Sequence, residues 1–143
     1  MGMAGQTEEW FKQADYDLGT AEAMFRSRRY IYSIFMCHLC LEKALKGLLA
    51  KRGVIPPKSH DLVFLLERVE CDIPEQHADF LEMLNEVSVP TRYPDELDKL
   101  MNSTSFWLST RESGLSRLWV VAGRCTNGYA IASRYRASIA RTM

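Results

Sequence analysis

Several things that would narrow the function at once are scarce or missing in this chain. No run of about 18 apolar residues occurs in its 143 positions, so no membrane span is expected. The opening "MGMAGQTEEW" lacks the basic and apolar regions of an export signal, which favours the cytoplasm. Cysteine is limited to Cys37, Cys40, Cys71 and Cys125. The C-x-x-C pair of "CHLC" has no second ligand pair at similar spacing, which argues against a zinc site. No strand precedes it, which argues against a thioredoxin-like motif. Both thiols are therefore expected in a helix core. Period-two alternation is missing too, so no strand is predicted, and there is no internal repeat.

Lysine and nearly all acid are missing from one part of the chain. Residues 102–143 hold six arginines, no lysine and one acid, Glu112, giving +5, while residues 1–101 hold twelve basic residues and seventeen acids, giving −5. The same segment gains serine and glycine, and its apolar residues keep poor helical spacing. It is read as an atypical Arg/Ser-rich segment, partly disordered or a reading-frame product standing in place of a packed final helix.

What is present is helix. Thr7 followed by Glu8 and Glu9 predicts a capped start, with acids near the positive end of the dipole. Trp10, Ala14, Leu18, Ala21 and Phe25 continue a stripe to about residue 27. "YIYSIFMCHLCLEKALKGLLAKR" is apolar on most sides and is predicted to be the central helix. In it Glu42 and Lys46 suit an i,i+4 pair, and Gly47 suits close approach of a neighbouring backbone. Gly53 sits where a left-handed cap is wanted. After Pro56-Pro57 a short helix is expected, capped by Ser59 or Asp61 and striped by Leu62, Leu65, Leu66 and Val69. A fourth helix is read from "CDIPEQHADFLEMLNEVSVP", and "TRYPDELDKL" could open a fifth. Short joints favour antiparallel neighbours, so the prediction is an all-α, antiparallel up-and-down bundle of four to five helices.

Polar residues able to carry chemistry gather in three places: Glu42, Lys43 and Lys46 on the central helix, Lys58, His60 and Asp61 beyond its end, and Arg92, Tyr93 and Asp95 in a later loop. Lysine, arginine and free N–H groups at a helix start are the donors that phosphate recognition needs. Arg92 could fork onto a phosphate and Tyr93 could stack on a base. Plainer roles compete: Asp61 as a cap, Lys43 and Lys46 as a solvated stripe, Arg92 as an ion-pair partner of an acid, and His38 as a core or dimer-interface residue.

"LCLEKALKGLLAKRGVIPPKSHDLVFLLERV", a further helix and "TRYPDE", together with "EEWFKQADYDLGTAEAMF", resemble the HEPN domain family over about residues 8–101. The resemblance implies a small helical bundle, commonly a homodimer, often paired with a minimal nucleotidyltransferase in systems of toxin–antitoxin type. It also implies nucleotide or RNA binding, or metal-independent ribonuclease activity built on an Arg, four to six residues, then a His. In some such pairs the transferase modifies a tyrosine of its partner, which singles out Tyr93. The ribonuclease spacing is absent: no histidine follows Arg92 within six residues, and none of His38, His60 and His77 has an arginine at the required distance upstream. The expectation is therefore a binding module without catalytic residues, metal or cofactor. Its candidate ligand residues are Lys43, Lys46, Lys58, His60, Asp61, Arg92 and Tyr93. A ribonuclease in which His60 meets Arg92 across the fold or a dimer, or a dimer module with no ligand, is the alternative.

Overall fold

Nothing between Met3 and Thr7 can stop a helix: there is no proline, and Gly5 costs only about 1 kcal/mol relative to alanine. The first helix accordingly starts earlier than the capping pattern at Thr7 predicts, and Thr7 lies buried inside it. The computed structural model describes residues 3–70 and 75–88, and every regular element in them is an α-helix. α1 spans Met3–Arg26, α2 Tyr30–Lys51, α3 Leu62–Val69 and α4 Glu75–Ser88. The fold is all-α, as the periodicity predicts. The expected fifth helix, Arg92, Tyr93 and the segment 102–143 lie outside the described residues.

α1 and α2 form an antiparallel hairpin whose register can be followed pair by pair. At the joint, where Arg28 takes a left-handed φ of 62°, Phe25 and Tyr30 meet edge to face with centroids 5.5 Å apart. Further along, the Ser33 hydroxyl donates to the Ala21 carbonyl at 2.8 Å, and Lys43 pairs with Asp17 at 2.7 Å. At the far end Phe11 and Trp10 lie against Gly47. A Cβ on Gly47 would come within 3.0 Å of the Phe11 ring and 3.1 Å of Trp10 Cβ. The glycine thus admits side chains of α1, where the sequence suggests a backbone.

α2 is the central element: it packs on α1, α3 and α4. Its Leu41, Leu45 and Leu49 are almost wholly buried among Ala14, Leu18, Leu62, Leu65, Leu81 and Leu84. Each such leucine contributes about 1.5–3 kcal/mol through the surface it removes from water. Cys37 and Cys40 sit in this core as free thiols. Burial pushes Cys37 up to about 12 and Cys40 well above the ordinary thiol range, so neither is a thiolate near neutral pH.

α2 ends in a Schellman motif. Gly53 adopts φ 79°, its N–H donates to the Ala50 carbonyl, and the Val54 N–H donates to the Leu49 carbonyl, each at 3.0 Å. The Arg52 guanidinium donates to the Val69 carbonyl, joining the end of α2 to the end of α3. The chain leaves α2 in a fixed direction, and Pro56 and Pro57 restrict it further before α3.

Candidate functional site

The loop 53–61 returns over the C-terminal half of α2, and the two are joined at one carboxylate. Glu42 and Lys46 lie one helical turn apart, and both are buried despite their charge. Glu42 Oε1 accepts from Lys46 Nζ at 2.8 Å and lies 2.9 Å from His60 Nδ1. Its second oxygen, Oε2, lies 3.8 Å from Nδ1 of the fully buried His38. Burial raises the carboxyl pKa, but the hydrogen bonds from Lys46 and His60, with their charges, outweigh it and hold the group below the ordinary range. Glu42 is therefore ionised near neutral pH and only accepts, so His60 Nδ1 carries the proton. Nε2, on a side chain 65% exposed, is the ring nitrogen left for other partners.

Asp61 caps α3, accepting from the N–H groups of Val63 at 3.0 Å and Phe64 at 3.2 Å. The same carboxylate oxygen also accepts from Asn85 Nδ2 of α4 at 2.8 Å, and Asn85 Oδ1 accepts from the Leu62 N–H at 2.9 Å. Of the two caps that the sequence allows, Asp61 takes the position, while Ser59 accepts from the Asp61 N–H at 3.2 Å. The structure thus gives Asp61 to the framework.

Lys46 and Lys58 come together in a groove of about 520 Å³ between the first half of α1 and the loop. Gln6, Glu9, Trp10 and Gln13 form the α1 wall, and Ile55, Pro56 and Pro57 form the wall facing it. The Lys46 ammonium lies 5.8 Å from the centroid of the Trp10 ring, within range of cation–π attraction. Lys43 points elsewhere. It is paired with Asp17 and opens on a second hollow of about 790 Å³ along α1, beside Lys12 and the exposed Tyr16. Lys43 and Lys46 are therefore two buried or half-buried ion pairs serving different surfaces, rather than one solvated stripe.

Lys46 and Lys58 thus line one groove, Lys46 and His60 share the Glu42 carboxylate, Asp61 caps α3, and Lys43 lines the other hollow. Arg92 and Tyr93 fall outside the described residues. Sequence reasoning missed three contributors: Glu42 as the anchor of His60, Trp10 as a groove wall, and Glu9 as its acid. Only the i,i+4 spacing of Glu42 and Lys46 signalled any of this. Among the described residues no three His, Cys, Asp or Glu side chains are placed to hold a metal ion, and no helix is long and apolar enough to cross a membrane.

The HEPN domain family model matches residues 7–120, and the chain belongs to that family. The match runs on past residue 101, taking in the first part of the Arg/Ser-rich segment. The fold is similar to that in the crystal structure of TT1696 from Thermus thermophilus, with a TM-score of 0.68 at 23% sequence identity, over 85% of this chain and 97% of that one. None of the curated proteins compared matches the chain.

Proposed function

We propose that this HEPN module binds a nucleotide through its phosphates in the groove between α1 and the loop 53–61. The observation that carries the reading is the joint presence of Lys46 and Lys58 beside the Trp10, Pro56 and Pro57 walls. Two ammonium groups supply phosphate donors, and the apolar walls supply a surface for a base or ribose. The volume of about 520 Å³ lies in the range of small-ligand sites. Lys58 forms no ion pair among the described residues, so its charge is fully available to a ligand, whereas the charge of Lys46 is shared with Glu42. Pairing with a second copy of the chain and with a minimal nucleotidyltransferase belongs to the same proposal and is supported by family membership. Calorimetry with ATP and GTP tests the site: Lys58→Ala should weaken binding about tenfold, the worth of one charge-assisted contact. Full affinity in that variant, or no binding by the native chain, overturns it.

The exposed His60 Nε2 favours a second reading, ribonuclease action. In that chemistry Nε2 takes the ribose 2′-hydroxyl proton as the 2′-oxygen attacks phosphorus, the P–O5′ bond breaks, and the departing 5′-oxygen takes a proton from water, leaving a 2′,3′-cyclic phosphate. It ranks lower because no arginine stands at the family's spacing before His60: the nearest upstream, Arg52, is separated from it by seven residues and donates to the Val69 carbonyl. Incubation with structured RNA decides it: cleavage that His60→Ala abolishes supports the reading, and cleavage unchanged by the variant removes it.

A further inference from the structure

The polar groups of the groove are sorted by type, and the sorting says which base fits. Lys46 and Lys58 are cations, whereas the α1 wall presents Gln6, Glu9 and Gln13 on one helical stripe. We infer that Glu9 selects guanine, so that the groove takes a guanine mononucleotide; this rests on the nucleotide-binding reading above.

Three observations carry it. The first is the nature of the acid. An ionised carboxylate only accepts hydrogen bonds. Guanine offers it two adjacent donors, N1–H and the 2-amino group. Adenine and cytosine offer one donor beside a ring nitrogen that also accepts, and uracil offers one N–H flanked by two carbonyls. Those acceptors would face the carboxylate unfavourably, so guanine alone satisfies both oxygens.

The second is that the carboxylate is held. Gln13 Nε2 donates to Glu9 Oε1 at 3.3 Å, which steadies the side chain and leaves Oε2 and the remaining lone pair of Oε1 for a ligand. The third is charge. Lys46 and Lys58 are balanced by Glu9 in the lining and by Glu42 beneath Lys46. A groove with no net positive charge is poorly suited to a polyanionic RNA strand, whose binding depends on accumulated cations. It suits one nucleotide, phosphates toward the lysines and base toward the acid.

Because Glu9 is exposed, discrimination should be moderate, about tenfold in favour of GTP over ATP, the worth of one hydrogen bond to a charged group. Calorimetry on the full chain with GTP, ATP and ITP reads this directly. ITP, lacking the 2-amino donor, should fall between the other two. Glu9→Gln should erase the preference for GTP over ATP, with the melting transition as a check on folding. Equal affinities for GTP and ATP in the native chain, or a preference that survives Glu9→Gln, overturns the inference while leaving nucleotide binding intact. Failure of every nucleotide to bind overturns both.

Discussion

His60 Nδ1 lies 2.9 Å from Glu42 Oε1, a contact that spans 18 residues of sequence and fastens the α2–α3 loop to the middle of α2. Because Lys46 donates to the same oxygen, one buried carboxylate determines where both a groove cation and an exposed imidazole stand. A change at that carboxylate should therefore be felt both in the groove, through Lys46, and at the exposed imidazole.

Acid should weaken the fold through Glu42. Its carboxyl is held below the ordinary range in the folded chain, so its stabilising contribution is full above the unfolded value, about 4.3, and is lost as pH falls through the lower folded value. Glu42→Gln should cost about 1–3 kcal/mol at pH 7, leaving Lys46 and His60 without a charged acceptor. The stability gap between native chain and variant should stay constant from pH 7 to about 5 and narrow below that. Urea unfolding at a series of pH values measures it, and a gap unchanged at pH 3 would refute the assignment.

Asp61 should matter to stability more than an exposed acid ordinarily does. Asp61→Ala removes the cap of α3 and an acceptor of Asn85, with an expected cost of about 1–2 kcal/mol. Since Asp61 and Asn85 share one network, the cost of changing both should fall short of the sum of the single changes. A double-mutant cycle by chemical denaturation is the check.

Gly47 should tolerate no branched side chain. With the Phe11 ring and Trp10 Cβ 3.0 and 3.1 Å from where a Cβ would stand, Gly47→Val must move α1 and should cost about 1–3 kcal/mol. Trp10 walls the groove, so nucleotide affinity should fall with stability. A variant as stable as the native chain would show that α1 yields without strain.

The thiols of Cys37 and Cys40 should be inert in the folded chain. Both are buried, and with Cys37 held at about 12 almost none of it is thiolate at pH 8. Site-resolved mass spectrometry after brief treatment with a maleimide should find these two positions unlabelled until denaturant is added. Rapid labelling of either in native buffer would contradict the packing.

Local signals carried the fold, and distance hid the site. The helices, the central position of α2, the Gly53 cap and the Glu42–Lys46 pair follow from residues at most a few positions apart. The starting point of α1 did not, because Thr7 has the form of a cap yet nothing before it breaks a helix. Ser59 and Asp61 were equal as caps until Asn85, on another helix, favoured Asp61. His60 on Glu42 and Lys43 on Asp17 join side chains far apart in sequence, and no periodicity encodes them. Trp10 follows the apolar stripe, but Phe11 takes the core position and Trp10 is left half-covered beside Lys46.

The loop 53–61 is held at its start by the Gly53 turn and at its end by the Asp61 cap, with two prolines between. A span clamped in this way has lost its conformational freedom during folding. Whatever settles against Lys58 does not pay that entropy a second time, so weak individual contacts can still add up to useful affinity. Lengthening the loop with flexible residues would return that cost to the binding step without touching a single contact in the groove.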